Sequence, residues 1–150
     1  MYQRILIPTD GSSYSEAALP YGLALAKRLA VPVVLLYAVE ETLPPLLASS
    51  PGMIPQEFID EYEHGIHQEG EAALARAEKQ AKEAGVPVEK KLVVGRPALA
   101  ILAEAKPTDL IVMGTHGRNS LAAFVLGSVT MRVLHEAPCP VLAVPHVRAS

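Results

Sequence analysis

Cysteine occurs once in the 150 residues, at Cys139, so no disulfide can form within the chain. Its neighbours Pro138 and Pro140 make a turn rather than a redox motif, and the thiol is read as structural. Aromatic residues are scarce, at 5%, and a formal net charge of -3 supplies no broad basic field. Nucleic acid and anionic membrane surfaces are therefore poor partners. No apolar run approaches the ~20 residues that span a bilayer. The first strand-like run begins almost at Met1, which leaves no room for a signal peptide and points to the cytoplasm. No repeat, linker or low-complexity tract divides the sequence, and one domain over residues 1–150 is expected.

What is present is aliphatic: half of the residues are hydrophobic, with Ala, Val and Leu prominent. Arg4-Ile5-Leu6-Ile7-Pro8 is a short buried strand running into the loop Thr9-Asp10-Gly11-Ser12. Ser13 and Glu16 fit a capping box, and Ala17, Tyr21, Ala24, Leu25 and Leu29 continue at helical spacing, with a bend expected at Pro20. A second strand follows over residues 32–39, then a Pro-rich loop over residues 40–55. Phe58, Tyr62, Ile66, Ala73, Ala77, Ala81 and Ala84 form the packing stripe of a long helix that ends at Gly85. A third strand over residues 86–94, a helix over 97–104, a fourth strand over 110–113, a helix over 128–135 and a fifth strand over 141–144 complete the series. The pattern predicts an α/β fold: one doubly wound, five-stranded parallel sheet in the order 3-2-1-4-5, with about four helices on both faces.

The strongest chemical signal follows the fourth strand. Glycine permits positive φ and the close approach of a ligand, so Gly114 and Gly117 can turn the backbone sharply as it leaves the sheet, and Gly127 frees the entry to the next helix. Unpaired amides and the helix dipole at that entry favour an anion, and the hydroxyls of Ser128 and Thr130 add donors, so a phosphate fits. Residues 110–135 include Arg118 and Arg132 but neither Asp nor Glu, which makes the region locally positive. The turn at Pro8, Thr9 and Asp10 is expected beside it, at the point where strand order reverses. Asp10 can accept hydrogen bonds from a ribose or hold Mg²⁺ through water, and Ala38, Val39 and Met113 offer a base an apolar seat.

At this point the sequence resembles the universal stress protein family, whose nucleotide-binding members carry Gly-x2-Gly-x9-Gly-Ser, a spacing met in full here. The resemblance covers nearly the whole chain. It rests on Ile5-Leu6-Ile7-Pro8-Thr9-Asp10-Gly11-Ser12, Asp109-Leu110-Ile111-Val112-Met113-Gly114-Thr115-His116-Gly117-Arg118, Gly127-Ser128-Val129-Thr130 and Ala137-Pro138-Cys139-Pro140-Val141. It implies that ATP is the ligand. Pro8, Thr9, Asp10 and Ala38 would surround adenine and ribose, and Gly114, His116, Gly117, Gly127, Ser128, Val129 and Thr130 would line ribose and phosphates. It also implies a homodimer that pairs the final strands. Asn119-Ser120 departs from the Ser-Gly of many relatives, and the loop over residues 40–55 lies where they vary.

Simpler roles compete at several positions. Asp10 can cap its own turn, and His116 can tolerate an unusual backbone angle. His64 and His67, three apart on an acidic helix, lack a third ligand and read as solvated, and His135 and His146 lack partners. The leading function is an ATP-dependent sensor or regulatory module. The alternative is a slow ATP hydrolase or autophosphorylating phosphotransferase in which Ser120, Ser128 or Thr130 receives the phosphoryl group. No Walker lysine pattern and no evident base support efficient transfer. A dinucleotide dehydrogenase would need Gly-x-Gly-x-x-Gly after the first strand, and adenylating or flavin-carrying relatives would need Ser-Gly-Gly after Pro8; neither is present.

Overall fold

The computed structural model describes residues 1–42, 52–117 and 126–146. Their elements are β1 (Arg4–Pro8), α1 (Ser13–Leu29), β2 (Val33–Val39), α2 (Gln56–Glu83), β3 (Val88–Val94), α3 (Pro97–Glu104), β4 (Asp109–Gly114), α4 (Ser128–Glu136) and β5 (Val141–Val144). The sheet is parallel throughout, in the order β3-β2-β1-β4-β5. Ile5 sits opposite both Val33 and Leu110, so β1 is central, flanked by β2 and β4.

Alternation along the central strands builds two cores. Ile5, Ile7, Val33, Leu35, Val39 and Val112 face α1 and α2, where Ala18, Leu23, Ala73, Leu74 and Ala77 meet them. Leu6, Val34, Leu36, Ile111 and Met113 face α3 and α4, which contribute Ile101 and Val133. A strand covered on both faces has no polar side to show, hence the continuous apolar runs.

At a few places the elements differ from expectation, for local reasons. The cap of α1 is Ser12, whose hydroxyl accepts from the Ser15 amide, and not Ser13. Gly11, at φ 78, turns the chain early, and Glu16 reaches Arg76 of α2 at 3.2 Å instead of closing a capping box. The helix runs unbroken through Pro20 to Leu29, with Ala30 as its C-cap. β3 begins at Val88 rather than at position 86, because Val86 still donates to the Ala81 carbonyl in closing α2. In α2 the stripe is buried only from Gly70 onward; Phe58 is 62% exposed. A Cβ on Gly70 would lie 2.6 Å from Leu92 Cδ1 and 2.8 Å from Tyr37 Cδ1, so this glycine lets the helix settle on β2 and β3.

Candidate functional site

β1 and β4 are neighbours, yet β1 leads into α1 on one face and β4 is followed by α4 on the other. Their carboxyl ends therefore open a crevice, of about 740 Å³. Pro8, Thr9 and Asp10 line it from β1, Ala38 and Val39 from β2, Met113 and Gly114 from β4, His116 and Gly117 from the loop beyond, and Gly127, Ser128, Val129 and Thr130 from the start of α4. Arg118 and Ser120 lie outside the described residues, as does the 43–51 part of the Pro-rich loop.

The turn after β1 is held by hydroxyls. Thr9 donates its amide to the Leu36 carbonyl and shares a 3.1 Å hydrogen bond with the buried Ser15 hydroxyl. Asp10 Oδ1 accepts from the Ser12 amide and from Ser15 Oγ, each at 2.9 Å. One carboxylate oxygen thus holds the turn, and Oδ2 lies toward Gly117, 3.0 Å from where a Cβ would stand. Asp10 does cap its turn, while its second oxygen faces the glycine loop.

The glycines act through closeness, not through unusual dihedrals. Gly114, Gly117 and Gly127 are not among the residues with positive φ, which correct the expected turn mechanism; those glycines are Gly11, Gly85 and Gly95. A Cβ on Gly114 would come within 2.5 Å of the Tyr14 carbonyl oxygen, and one on Gly127 within 3.2 Å of His116 Cα. The Gly127 amide donates to the Thr115 carbonyl at 2.8 Å, folding the loop back onto the helix start. Gly127 itself caps α4 without a side chain, and among the described residues no side chain caps the first-turn amides.

Two expectations about this end are corrected. Thr130 is 2% exposed and its hydroxyl donates to the Gly114 carbonyl at 2.9 Å, so it braces β4 rather than supplying a donor to a ligand. Arg132 pairs with Glu136 one turn on, at 2.7 Å, and does not line the crevice. Among the described lining residues the carboxylates are Asp10, Glu40 and Glu69, and none is Lys or Arg. Among the described lining residues, attraction for an anion comes from the α4 amides.

The universal stress protein family model matches residues 1–145. The chain belongs to the universal stress protein family. Universal stress protein MJ0531 of Methanocaldococcus jannaschii is 39% identical over 146 residues, covering 96% of this chain and 82% of that protein. The fold matches the structure of hypothetical protein MJ0577 with a TM-score of 0.80 at 32% identity, over 99% of each chain. A universal stress protein in complex with cAMP matches with a TM-score of 0.69 at 27% identity, over 98% of this chain and 99% of that one.

Further residues enter the crevice that the sequence reading gave only to packing or not at all. Tyr62, Ile66 and Glu69 of α2 line it, and their spacing of four and three, which puts them on one helix face, was the signal for it. Ser15 lines it too, one turn after Asp10. Two histidines have partners that the sequence did not show. His67 Nε2 meets Glu41 Oε1 at 2.6 Å, and the His146 ring packs on Tyr14 at 5.1 Å. His116 has an ordinary backbone; its Nδ1 shares a 2.9 Å hydrogen bond with Thr115 Oγ1. Burial pushes the Cys139 thiol up, with Asp109 adding to the shift, which suits an unreactive role. Among the described residues no group of three His, Cys, Asp or Glu is placed to hold a metal ion, and no helix is long and apolar enough to cross a membrane.

Proposed function

We propose that this family member binds ATP in the crevice and works as a cytoplasmic, nucleotide-dependent sensor. The observation that carries the proposal is the start of α4: first-turn amides that no side chain caps among the described residues, brought by Gly127 against the glycine loop, in the wall of a crevice large enough for a nucleotide. The cAMP complex of a 27% identical relative supports an adenine nucleotide as the class of ligand. The base would rest on Ala38, Val39 and Met113, the ribose hydroxyls would donate to Asp10 Oδ2, and the phosphates would accept from the amides of Ser128, Val129 and Thr130.

Mg²⁺ fits only as the nucleotide's companion. The Asp10 carboxylate would hold the ion through water while the phosphates supplied most of the ligands. The cation would also offset the carboxylates of Asp10, Glu40 and Glu69 near a polyphosphate.

Two copies would pair through β5. This edge strand is Val141-Leu142-Ala143-Val144, without a charge, and Leu142 is 38% exposed. The opposite edge, β3, carries Glu89, Lys90 and Lys91, which discourage strand addition.

The nucleotide-stripped protein titrated with ATP and Mg²⁺ in a calorimeter, with phosphate release followed for hours, tests the reading. Saturable binding with negligible release is expected; catalytic release would promote the hydrolase, and no binding would sink both. A folded Gly127→Glu variant that still binds ATP as the wild type does would refute the placement of the phosphates. A wild type that sediments as a stable monomer would refute the dimer.

A further inference from the structure

Tyr14, in the first turn of α1, stands between two imidazoles. Its ring centroid lies 5.3 Å from that of His116, tilted by 49°, and 5.1 Å from that of His146, edge-on at 61°. The loop after β4 and the segment after β5, far apart in sequence, thus meet on one ring. The Tyr14 backbone sits close to β4, its carbonyl lying against Gly114 so closely that a Cβ there would stand 2.5 Å away. His116 is steadied a second time by the hydrogen bond between its Nδ1 and Thr115 Oγ1. His116 also borders the start of α4, its Cα being 3.2 Å from the Cβ position of Gly127. His116 lines the crevice, whereas Tyr14 and His146 do not.

We propose that Tyr14 is a positioning residue for the phosphate end of the crevice: its ring orients the His116 imidazole toward the bound nucleotide and carries the contact on to His146, just past β5. The proposal rests on the nucleotide reading above. The contacts need the aromatic ring and not the phenol hydroxyl. Aromatic pairs at these distances are worth roughly a two- to tenfold change in an equilibrium constant. That change should fall on ligands that carry phosphates and spare those that do not. A second consequence follows from His146, which lies outside the crevice yet touches the ring that touches His116. Its imidazole should register whether the crevice is filled.

The test compares wild type, Tyr14→Leu and Tyr14→Phe by calorimetry with ATP and with adenosine, and follows the imidazole signals of selectively labelled histidines by NMR during ATP addition at fixed pH. Tyr14→Leu should lose ATP affinity by about three- to tenfold, with adenosine affinity within about twofold of wild type, and Tyr14→Phe should restore both. The His146 signal, assigned with a His146→Gln variant, should shift on ATP addition in wild type and in Tyr14→Phe. Equal losses for ATP and adenosine, ATP affinity unchanged in Tyr14→Leu, or a His146 signal that ignores ATP would each overturn the proposal. Should Tyr14→Leu not fold, the wild-type His146 signal decides. A wild type that binds neither ligand would instead defeat the nucleotide reading on which the proposal stands.

Discussion

At the amino edge of the sheet the wholly buried Asp109 accepts from Arg4 Nε at 2.8 Å and Nη2 at 3.1 Å, and from the Lys106 amide at 2.8 Å. Glu104 draws Arg4 and Lys91 together, at 3.0 and 2.7 Å. At the carboxyl edge the same strands end in Pro8 and Gly114, and backbone meets backbone there because glycine carries no side chain. One edge is closed by charges that satisfy one another; the other is held open by the absence of bulk. Fold stability should therefore depend most on the first edge and ligand affinity on the second, and substitutions at each can break that division.

Asp109→Asn should have the largest effect. It leaves Arg4 without its buried counter-charge, and breaking such a pair costs about 3 kcal/mol or more. Urea unfolding should show that loss, while ATP affinity measured on the folded protein stays within about twofold. An equal fall in affinity would mean that the edges are not separable. Gly114→Ala comes next. The new methyl group would meet the Tyr14 carbonyl, which is backbone and cannot rotate away, at a cost of about 1–3 kcal/mol. Here stability and ATP affinity should fall together, because α1 and β4 must separate at the mouth of the crevice.

The sequence made most of the fold legible because buried parallel strands are written as apolar runs: Ile5-Leu6-Ile7 and Leu110-Ile111-Val112-Met113 allow no other reading as easily. The spacing of Gly114, Gly117 and Gly127 likewise led to the crevice. What could not be read was why each glycine is there, since a positive φ and a missing Cβ look the same in sequence, and the second depends on Tyr14, a hundred residues away. The α2 face of Tyr62, Ile66 and Glu69 was hidden for a related reason. Helical periodicity gives a face but not what the face looks onto. The partners of His67 and His146 are tertiary facts of the same kind.

Thr130→Val tests the carboxyl edge without adding bulk. It removes the hydroxyl donated to the Gly114 carbonyl while nearly keeping the side chain's shape, and a lost buried hydrogen bond of this kind costs about 1–2 kcal/mol. Thr130→Ser keeps the donor and should recover most of that stability in thermal unfolding. If Thr130→Val leaves phosphate release as it is in wild type, the hydroxyl is a brace; a turnover lost in Val and regained in Ser, with affinity steady, would return Thr130 to the chemistry.

The smallest effect belongs to Glu104 and appears only in acid. Burial pushes its carboxyl up, but hydrogen bonds from Lys91 and Arg4 and their charges outweigh that, and the net shift is downward from 4.5. A carboxylate depressed in the folded state contributes stability that is complete above its unfolded pKa and disappears as pH falls through the folded one. The contribution of Glu104 should therefore be constant near neutrality and fade below about pH 4. Glu104→Gln should be less stable than wild type at pH 7, by about 1 kcal/mol at this partly exposed site, with the gap closing as the solution is acidified. The Gly114→Ala deficit, which is steric, should persist over the same range. A Glu104→Gln gap that stayed constant into acid would mean that shape rather than charge holds the amino edge, and the contrast between the two edges would lose its electrostatic half.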